Sequence, residues 1–268
     1  VGAFGRCRAA LAETGLDERI AVDPEQRFAS PLRAQEPYAY DDPGAFRVLP
    51  PFRSFAFLRR LYRDQADAVL DASANLTEQQ KLKAELFDNK ILSLGFSAVF
   101  AAQSRGLSLL DFVQLDFLTN MAAFDAGIVV WQEKRRWDAV RPFSAIAHLY
   151  GNRSVTAWGG PGKGTVSLPA SEWRSYLEEA DHPEYPSAST CFCTAHAQAA
   201  RRFLGTDDLA WEVPQPAGAS RIEPGITPAA DTALVFPTWT DFARDCGRSR
   251  VWAGVHFDAA VDESAELC

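Results

Sequence analysis

The sequence predicts an all-α protein, a helical bundle formed as a single domain over residues 1–268. Two long segments repeat apolar residues at helical spacing, and no segment shows the convincing alternation that is typical of strands. Hydrophobic residues make up 47% of the chain and charged residues 23%, a balance that can fill one sizeable core.

The first 54 residues are expected to differ from the rest. After a first short helix, residues 1–54 should form an irregular strap over the bundle, because Asp42-Pro43-Gly44 and Pro50-Pro51 are turn and extended signals. The chain opens at Val1 without a signal-peptide pattern and ends at Cys268 while a helical pattern continues. We interpret the sequence as a mature or partial chain.

Two long helices should form the centre of the bundle. Thr77, followed three residues later by Gln80, is a capping-box signature for a helix that reaches about Ser104. The second helix should run from Ser108 to about Lys134, with its apolar stripe inside the bundle. The other expected segments are a loop over Gly151–Pro169, a helix from Pro186 to about Leu204, mostly loop over Trp211–Thr238, and a last helix that begins near Trp239 and bends near Cys246. The glycine-rich part of the first loop, Gly159–Gly164, lacks the pattern of a phosphate loop and is expected to form a pocket rim.

Charge and composition limit the partners. The formal net charge of −8 disfavours nucleic acid and anionic lipid, and the absence of a run of 18 apolar residues predicts no membrane span. Glycosylation patterns at Asn75 and Asn152 favour an extracellular or luminal setting. The sequence leaves open whether the chain forms a homo-oligomer or a larger assembly.

Of the five cysteines, Cys191 and Cys193 should point apart on a helix, as buried structural thiols rather than a zinc or redox pair. The sequence does not predict which cysteines pair.

Three separated segments concentrate charged and hydroxyl residues: 134–142, 182–190 and 249–256. Lys134 and Arg141 are seven residues apart, two helical turns, so their side chains should point the same way. Arg250 and His256 are six apart, about 240° on a continuous helix, so they converge only where the helix is interrupted.

The middle segment should contain a helix start. Free backbone N–H groups near Ser187–Ser189, together with a hydroxyl, form a site suited to an anion. Two arginines and a lysine added to such a site would bind a tetrahedral oxyanion strongly, since guanidinium groups match its oxygens.

In their order and spacing, the three segments resemble the vanadium-dependent haloperoxidase and type 2 phosphatidic acid phosphatase superfamily. The pattern is Lys with Arg-Pro seven residues on, then Pro-Ser-Gly-His, then Ser-Arg with His six after the Arg. The match covers about Asp125 to Val261, a predicted oxyanion-site core over 125–261, and Gly254-Val-His256-Phe-Asp-Ala-Ala is especially similar to the haloperoxidase branch. The matching positions are Lys134, Arg141-Pro142, Pro186-Ser187, Ser249-Arg250 and His256.

This resemblance implies a helical bundle with vanadate as cofactor, or phosphate or sulfate in its place, and with peroxide and halide as small partners. Lys134, Arg141 and Arg250 would neutralise the oxyanion, and Ser187 would donate a hydroxyl hydrogen bond. The backbone N–H of Ala188 would stand where the family has glycine. His256 would be the axial ligand of vanadium, or the nucleophile in a phosphatase.

One position departs from the pattern, because Ser189 stands in place of the acid–base histidine. A serine does not transfer protons near neutral pH as an imidazole does, and such help is worth about 10²–10⁴-fold in rate. His182, seven residues upstream, is a candidate to supply that role from the loop.

Three functions therefore remain open. The first is a vanadate-dependent haloperoxidase-like enzyme, an oxidoreductase impaired by the loss of the histidine. The second, favoured by Ser189, is a non-catalytic structural or assembly protein that keeps the fold. The third is an acid phosphatase, which needs the same missing proton donor.

Overall fold

Helices dominate the part of the chain that the structure describes, which confirms the predicted fold class. The structure is a computed structural model and describes residues 35–55 and 57–268, so the expected first short helix and the strap's residues 1–34 lie outside it. The helices are α1 (Arg59–Ala74), α2 (Glu78–Asp88), α3 (Phe96–Ser104), α4 (Leu109–Trp137), α5 (Pro142–Tyr150), α6 (Ala188–Leu204), α7 (Trp239–Trp252) and α8 (Asp258–Leu267).

At the centre of the bundle α6 packs against both α4 and α7, and α2 and α8 pack against α7. The largest apolar cluster lies between these helices and includes Phe87, Phe236, Trp239 and Phe242, all fully buried. Aromatic rings meet edge to face within it, as between Phe87 and Phe242 at 5.1 Å. This cluster gives the functional residues of α4, α6 and α7 a rigid support.

The described part of the strap, residues 35–55, contains only short 3₁₀ turns and lies along α4. The backbone N–H groups of Tyr38 and Ala39 each donate to the Asp125 carboxylate at 2.8 Å. Further along, Arg47 pairs with the buried carboxylate of Glu133 at 3.0 Å. Polar anchors on α4 therefore hold this irregular segment in place.

The helix expected from Thr77 to Ser104 is interrupted. The capping box at Thr77 and Gln80 is present, but α2 ends at Asp88 and Asn89 has an extended backbone. The Asn89 side chain accepts the Leu92 N–H at 3.1 Å, and a π-helical turn over Ile91–Gly95 then leads into α3. A local side-chain hydrogen bond thus replaces the helical one at this position.

Two antiparallel hairpins stand where loops were expected: β1 (Ser154–Trp158) with β2 (Thr165–Pro169), and β3 (Asp208–Gln215) with β4 (Thr232–Thr238). In the second hairpin Leu209, Trp211, Leu234 and Phe236 are buried at alternate positions. Prolines inside these strands argued for a loop. A two-stranded sheet consists only of edge strands, where proline is tolerated, so the loop prediction was wrong.

The expectation that the apolar stripe of α4 is buried holds only for its C-terminal half. Leu109 is 79% exposed and Val113 and Phe117 are more than half exposed, whereas Ile128, Val129 and Val130 are buried. By length and hydropathy alone, the stretch 109–150 is the one described segment apolar enough to cross a membrane. Of its most apolar stretch of 18 residues, 44% is buried inside the protein. Core helices pass the same test, so the absence of a membrane span stays a prediction.

Two disulfides cross-link the last helices. Cys193 on α6 is bonded to Cys246 on α7, and Cys191 on α6 is bonded to Cys268 after α8. The two α6 cysteines point to different partners, as their spacing predicts, but the expectation of free buried thiols was wrong. Both bonds fix α6 against the C-terminal helices.

Candidate functional site

Lys134 is in the last turn of α4 and is buried, with 1% of its surface exposed. Its Nζ donates to the carbonyl oxygens of Pro183 at 2.5 Å and of Glu184 at 3.2 Å. Burial, and next the nearby Arg141, lower the pKa of Lys134 well below its usual value. The ammonium therefore ties α4 to the loop 182–186 and leaves its third N–H for a ligand.

Arg141 connects several segments of the site. The sequence suggested that one helix carries both Lys134 and Arg141, but α4 ends at Trp137 and Asp138 has a left-handed backbone. Arg141 is instead the N-cap of α5, which begins at Pro142, so a chain turn brings it back towards Lys134.

The Arg141 guanidinium binds two other segments of the chain. Its Nε donates to the carbonyl oxygen of His182 at 3.0 Å, and its Nη2 lies 3.1 Å from the Nδ1 of His182. Its Nη1 donates to the carbonyl oxygen of Val255 at 2.7 Å and lies 3.1 Å from the Nε2 of His256. Burial lowers the pKa of Arg141, while Glu184, Glu179 and Asp181 oppose that effect.

A tight turn after α7 brings His256 back to the cations. The helix ends at Trp252, and Gly254 has a φ of +79°, where a Cβ atom would also approach the ring of Trp173 to 3.0 Å. The N–H of His256 then donates to the carbonyl oxygen of Arg250 at 3.3 Å. This interruption resolves the six-residue spacing of Arg250 and His256.

Arg250 is 4% exposed and is fixed by several partners. Its Nη2 donates to the carbonyl oxygen of Ala84 at 2.7 Å, its Nε donates to Ser249 Oγ at 3.1 Å, and Asp88 lies 3.8 Å from its Nη1. Burial lowers the pKa of Arg250 to about 10, and the charge of Arg141 contributes in the same direction. The side chain stays cationic at neutral pH.

The His256 ring is neutral, and its hydrogen bonds fix its tautomer. Because Arg141 can only donate, Nε2 must be the acceptor, so the ring proton is on Nδ1. That proton points to the carboxylate of Glu184, 3.1 Å away. Burial, followed by the charges of Arg141 and Lys134, lowers the pKa of His256 well below its usual value.

No motif in the sequence pointed to Glu184, which the structure places beside His256. Its Oε1 accepts both the His256 Nδ1–H and the backbone N–H of Phe257, the latter at 3.0 Å. Burial raises the pKa of this carboxyl to about 7, although hydrogen bonding and the nearby Arg141 and Lys134 act in the opposite direction. The signal that could have identified it is an acidic residue enclosed by Pro183 and Tyr185-Pro186 just before a helix.

His182 also lies in the site. Its ring packs against Trp131 with 5.2 Å between centroids, and its Nδ1 faces the Arg141 guanidinium. Burial, then Lys134 and Arg141, lower the pKa of His182 to about 3. We call Lys134, Arg141, His182, Arg250 and His256 the basic cluster.

Ser187, Ala188 and Ser189 lie at the start of α6. Ser187 is the N-cap, and its Oγ accepts the hydroxyl of Thr190 at 2.9 Å. Within the described residues, the hydrogen bonds of Ser187 lead to Thr190, Cys191, Ser264 and Ala260 rather than to a cation of the cluster. Ala188 and Ser189 begin the helix, where N–H groups lack intrahelical acceptors. The hydroxyl hydrogen of Ser187 and these N–H groups are the donors that this segment can offer.

A cavity of about 730 Å³ is lined by residues that neighbour the cluster. It reaches Asp88, the neighbour of Arg250, and Glu179, whose charge acts on Arg141. Gly159, Gly160 and Pro161 of the β1–β2 turn line it, so the glycine-rich turn forms a pocket rim, as expected. Trp158 and Tyr176 line the same cavity, which gives it an aromatic wall with acidic residues around it.

The chemistry of the basic cluster suits an oxyanion with one imidazole ligand. Lys134, Arg141 and Arg250 supply up to three positive charges in a buried site. The carboxylate of Glu184 is hydrogen-bonded to His256, and that of Asp88 lies 3.8 Å from Arg250. Neutral His256 offers the lone pair of Nε2 once Arg141 releases it. Over the described part of the chain, no three His, Cys, Asp or Glu side chains form a group that could hold a bare metal ion.

Comparison with known proteins places this site in context. A family model described as the VCPO second helical-bundle domain matches residues 114–268. The crystal structures of the holo-type and apo-type bacterial vanadium-dependent chloroperoxidase are each 43% identical to the chain, with TM-scores of 0.84 and 0.86. Each match covers 88% of this chain but only 51% or 52% of the other, so the chain spans about half their length.

A more distant match shows the fold alone. The first bacterial vanadium-dependent iodoperoxidase is 18% identical with a TM-score of 0.64, and the match covers 92% of this chain and 55% of that one. No curated protein sequence matches the chain.

Proposed function

Since the chain belongs to the vanadium-dependent haloperoxidase family, we propose that it binds vanadate in the basic cluster and oxidises halide with peroxide. One observation supports this above the others. In a chain 43% identical to a bacterial vanadium-dependent chloroperoxidase, Arg141 joins His182 and His256 in a buried site that also holds Lys134 and Arg250.

The residues that would hold vanadate would have three roles: charge neutralisation, metal ligation and hydrogen bonding. Lys134, Arg141 and Arg250 would neutralise its oxygens, and Nε2 of His256 would be the single protein ligand to the metal. Ser187 and the backbone N–H of Ala188 would add hydrogen bonds at the start of α6. Vanadate, when bound, supplies the Lewis acidity that makes peroxide a two-electron oxidant of halide.

Arg141 controls access to both imidazoles. Without an anion, its N–H groups donate to Nε2 of His256 and to Nδ1 of His182. An oxyanion competes for the same N–H groups, because a charged acceptor is stronger than a neutral ring nitrogen. Release by Arg141 frees both lone pairs.

We assign the proton-transfer role to His182 rather than to Ser189. The hydroxyl of Ser189 does not titrate near neutral pH, whereas the His182 ring already contacts Arg141. Burial and two cations depress the pKa of His182, and an anion in the cluster would offset the cationic part of that effect. The ring could then exchange protons close to neutral pH.

The second candidate is a non-catalytic structural or assembly protein that keeps the fold and the anion pocket, and Ser189 is the observation that favours it. Such a protein would bind vanadate or phosphate without turnover. Nothing among the described residues favours an acid phosphatase over either candidate.

We also propose an extracellular or luminal location. The disulfides Cys191–Cys268 and Cys193–Cys246 support an oxidising compartment, because such bonds are rare where thiols are kept reduced.

The test is peroxide-dependent bromination of a phenolic dye after incubation of the chain with orthovanadate. Activity should appear only with vanadate, and His256→Ala should lower it at least about 100-fold, since that variant removes the ligand. His148→Ala is the matched control, because His148 is exposed on α5. Vanadate binding without bromination would favour the non-catalytic protein, and no vanadate binding would remove both candidates.

A further inference from the structure

The Glu184 carboxylate is the partner of His256 on the side of the ring away from Arg141. One oxygen, Oε1, lies 3.1 Å from Nδ1 of His256 and accepts the Phe257 N–H at 3.0 Å. The Glu184 side chain is about 1% exposed and that of His256 about 4%, so water does not compete strongly for this contact.

The backbone of Glu184 is fixed on both sides. Its N–H donates to the carbonyl oxygen of Ala139 at 2.9 Å, and its own carbonyl accepts Nζ of Lys134 at 3.2 Å. The carboxylate is therefore placed by the segment that joins α4 to α5 and by the end of α4, both of which belong to the site. A side chain fixed in this way can hold a neighbouring ring in one orientation.

Orientation matters because only one ring nitrogen can face a ligand. A metal-binding imidazole usually donates its other N–H to a carboxylate or carbonyl, which fixes the tautomer and raises the basicity of the ligating nitrogen. In this structure Nδ1 is the donor and Nε2 points to Arg141, the cation placed to release it.

We propose that Glu184 is a positioning residue, which holds the His256 ring with the lone pair of Nε2 directed into the basic cluster. The inference rests on the proposed function, since a ligand for His256 gives that orientation its use. Glu184 acts through His256 and not on the bound anion itself.

A second buried carboxylate provides a matched control. Glu133, the residue before Lys134, is fully buried, and its carboxylate accepts the Val48 N–H at 3.3 Å and the indole N–H of Trp137 at 3.2 Å. It carries a comparable set of hydrogen bonds on α4 but serves the strap instead of His256. Loss of a buried carboxylate as such is therefore tested by Glu133→Gln.

The experiment compares Glu184→Met, Glu184→Gln and Glu133→Gln by calorimetric titration with orthovanadate. Glu184→Met keeps the volume and removes the acceptor, so the Kd for vanadate should rise about 10–100-fold. Glu184→Gln keeps a carbonyl oxygen for both donors and should stay within about fivefold of the wild type, since the orientation survives. Glu133→Gln should bind vanadate as the wild type does.

A second readout needs no vanadate. With ¹⁵N-labelled histidine, the wild type should show a slowly exchanging proton on Nδ1 of His256, assigned by its absence in His256→Ala. Glu184→Met should lose this protection and Glu184→Gln should keep it.

Two results would overturn the inference: a wild type without the protected Nδ1 proton, or a Glu184→Met protein that binds vanadate as tightly as the wild type. Equal loss of affinity in Glu184→Gln and Glu184→Met would also contradict it, because orientation would then not be the cause. A wild type that binds no vanadate rejects the proposed function, whereas the Nδ1 signal still decides the role of Glu184.

Discussion

Nη1 of Arg141 lies 3.1 Å from Nε2 of His256, although 115 residues separate the two in the chain. The contact places a permanent donor on the ring nitrogen that would bind a metal. It therefore keeps the lone pair of the ring nitrogen occupied. On the proposed function, an anion would draw the guanidinium away, so anion binding and exposure of the ligand would be coupled through Arg141.

Removing Arg250 should strongly weaken the protection that anions give against unfolding. Vanadate or phosphate stabilises a protein when it binds only the folded state, so either should raise the melting temperature of the wild type. Arg250→Ala loses a charged donor worth about 1.5–3 kcal/mol, which corresponds to about 10–150-fold in affinity. Differential scanning fluorimetry over a range of anion concentrations measures both effects.

Arg244→Ala is the control for this experiment, because Arg244 lies on the same helix with a side chain that is 60% exposed. It should keep full protection. Equal protection in Arg250→Ala would show that the anion binds elsewhere.

The proton role can be assigned with two variants at one site. If His182 has taken the place of the missing histidine, His182→Ala should lower kcat for bromide oxidation by about 10²–10⁴-fold, and Ser189→His should change it little. Stopped-flow or steady-state bromination gives kcat, and calorimetry gives the vanadate Kd, which separates turnover from binding. A large gain in Ser189→His, with His182→Ala unchanged, would instead show that position 189 is a vacant catalytic position.

Much of the fold follows from local signals that the sequence displays. The periodicity of α4 and the capping box at Thr77 are properties of a few neighbouring residues, and both appear in the structure. The break at Asn89 and the β3–β4 hairpin depend on a single side-chain hydrogen bond and on packing against α7. Asparagine occurs inside helices as well as at their breaks, and the packing of the hairpin involves residues far apart in the chain, so the sequence predicted neither feature.

The functional site, like the fold, could be predicted from the sequence only in part. Motif spacing identified Lys134, Arg141, Arg250 and His256, and the structure brings these side chains together. The means of convergence were not predictable, because they depend on the left-handed Asp138 and the turn at Gly254. Glu184 was not predicted as a site residue, because its partner His256 is 72 residues away and no local pattern connects the two.

Loss of the Cys193–Cys246 disulfide should destabilise the protein without rearranging the site. The bond closes a loop of 53 residues, for which chain entropy gives a stabilisation of about 4 kcal/mol. The double variant Cys193→Ala, Cys246→Ala should therefore lose about 2–4 kcal/mol of unfolding free energy in urea. No loss in the double variant would mean that this bond does not form in solution.

His196 should make the free energy of unfolding depend on pH, and the substitution His196→Gln should isolate its contribution. The Ser97 hydroxyl donates to the Leu94 carbonyl oxygen at 2.8 Å, so it can only accept from Nε2 of His196, 3.2 Å away. Nδ1 of His196 is buried and has no partner among the described residues, so a second proton would have no acceptor. Burial accordingly lowers the pKa of His196 from 6.5 to about 4.

Between pH 6.5 and 4, the unfolded chain binds a proton at His196 that the folded protein does not, so this residue's contribution to stability falls as the pH falls. His196→Gln keeps a donor for Ser97 and removes the titration. From pH 7 to pH 5, the unfolding free energy of the wild type should therefore drop by about 2 kcal/mol more than that of His196→Gln, at about 1.4 kcal/mol per pKa unit. Urea unfolding at pH 5, 6 and 7 measures this difference, in which the other titrating groups cancel. A difference that does not change with pH would show that the folded protein takes up the proton, and that Nδ1 has an acceptor such as a buried water.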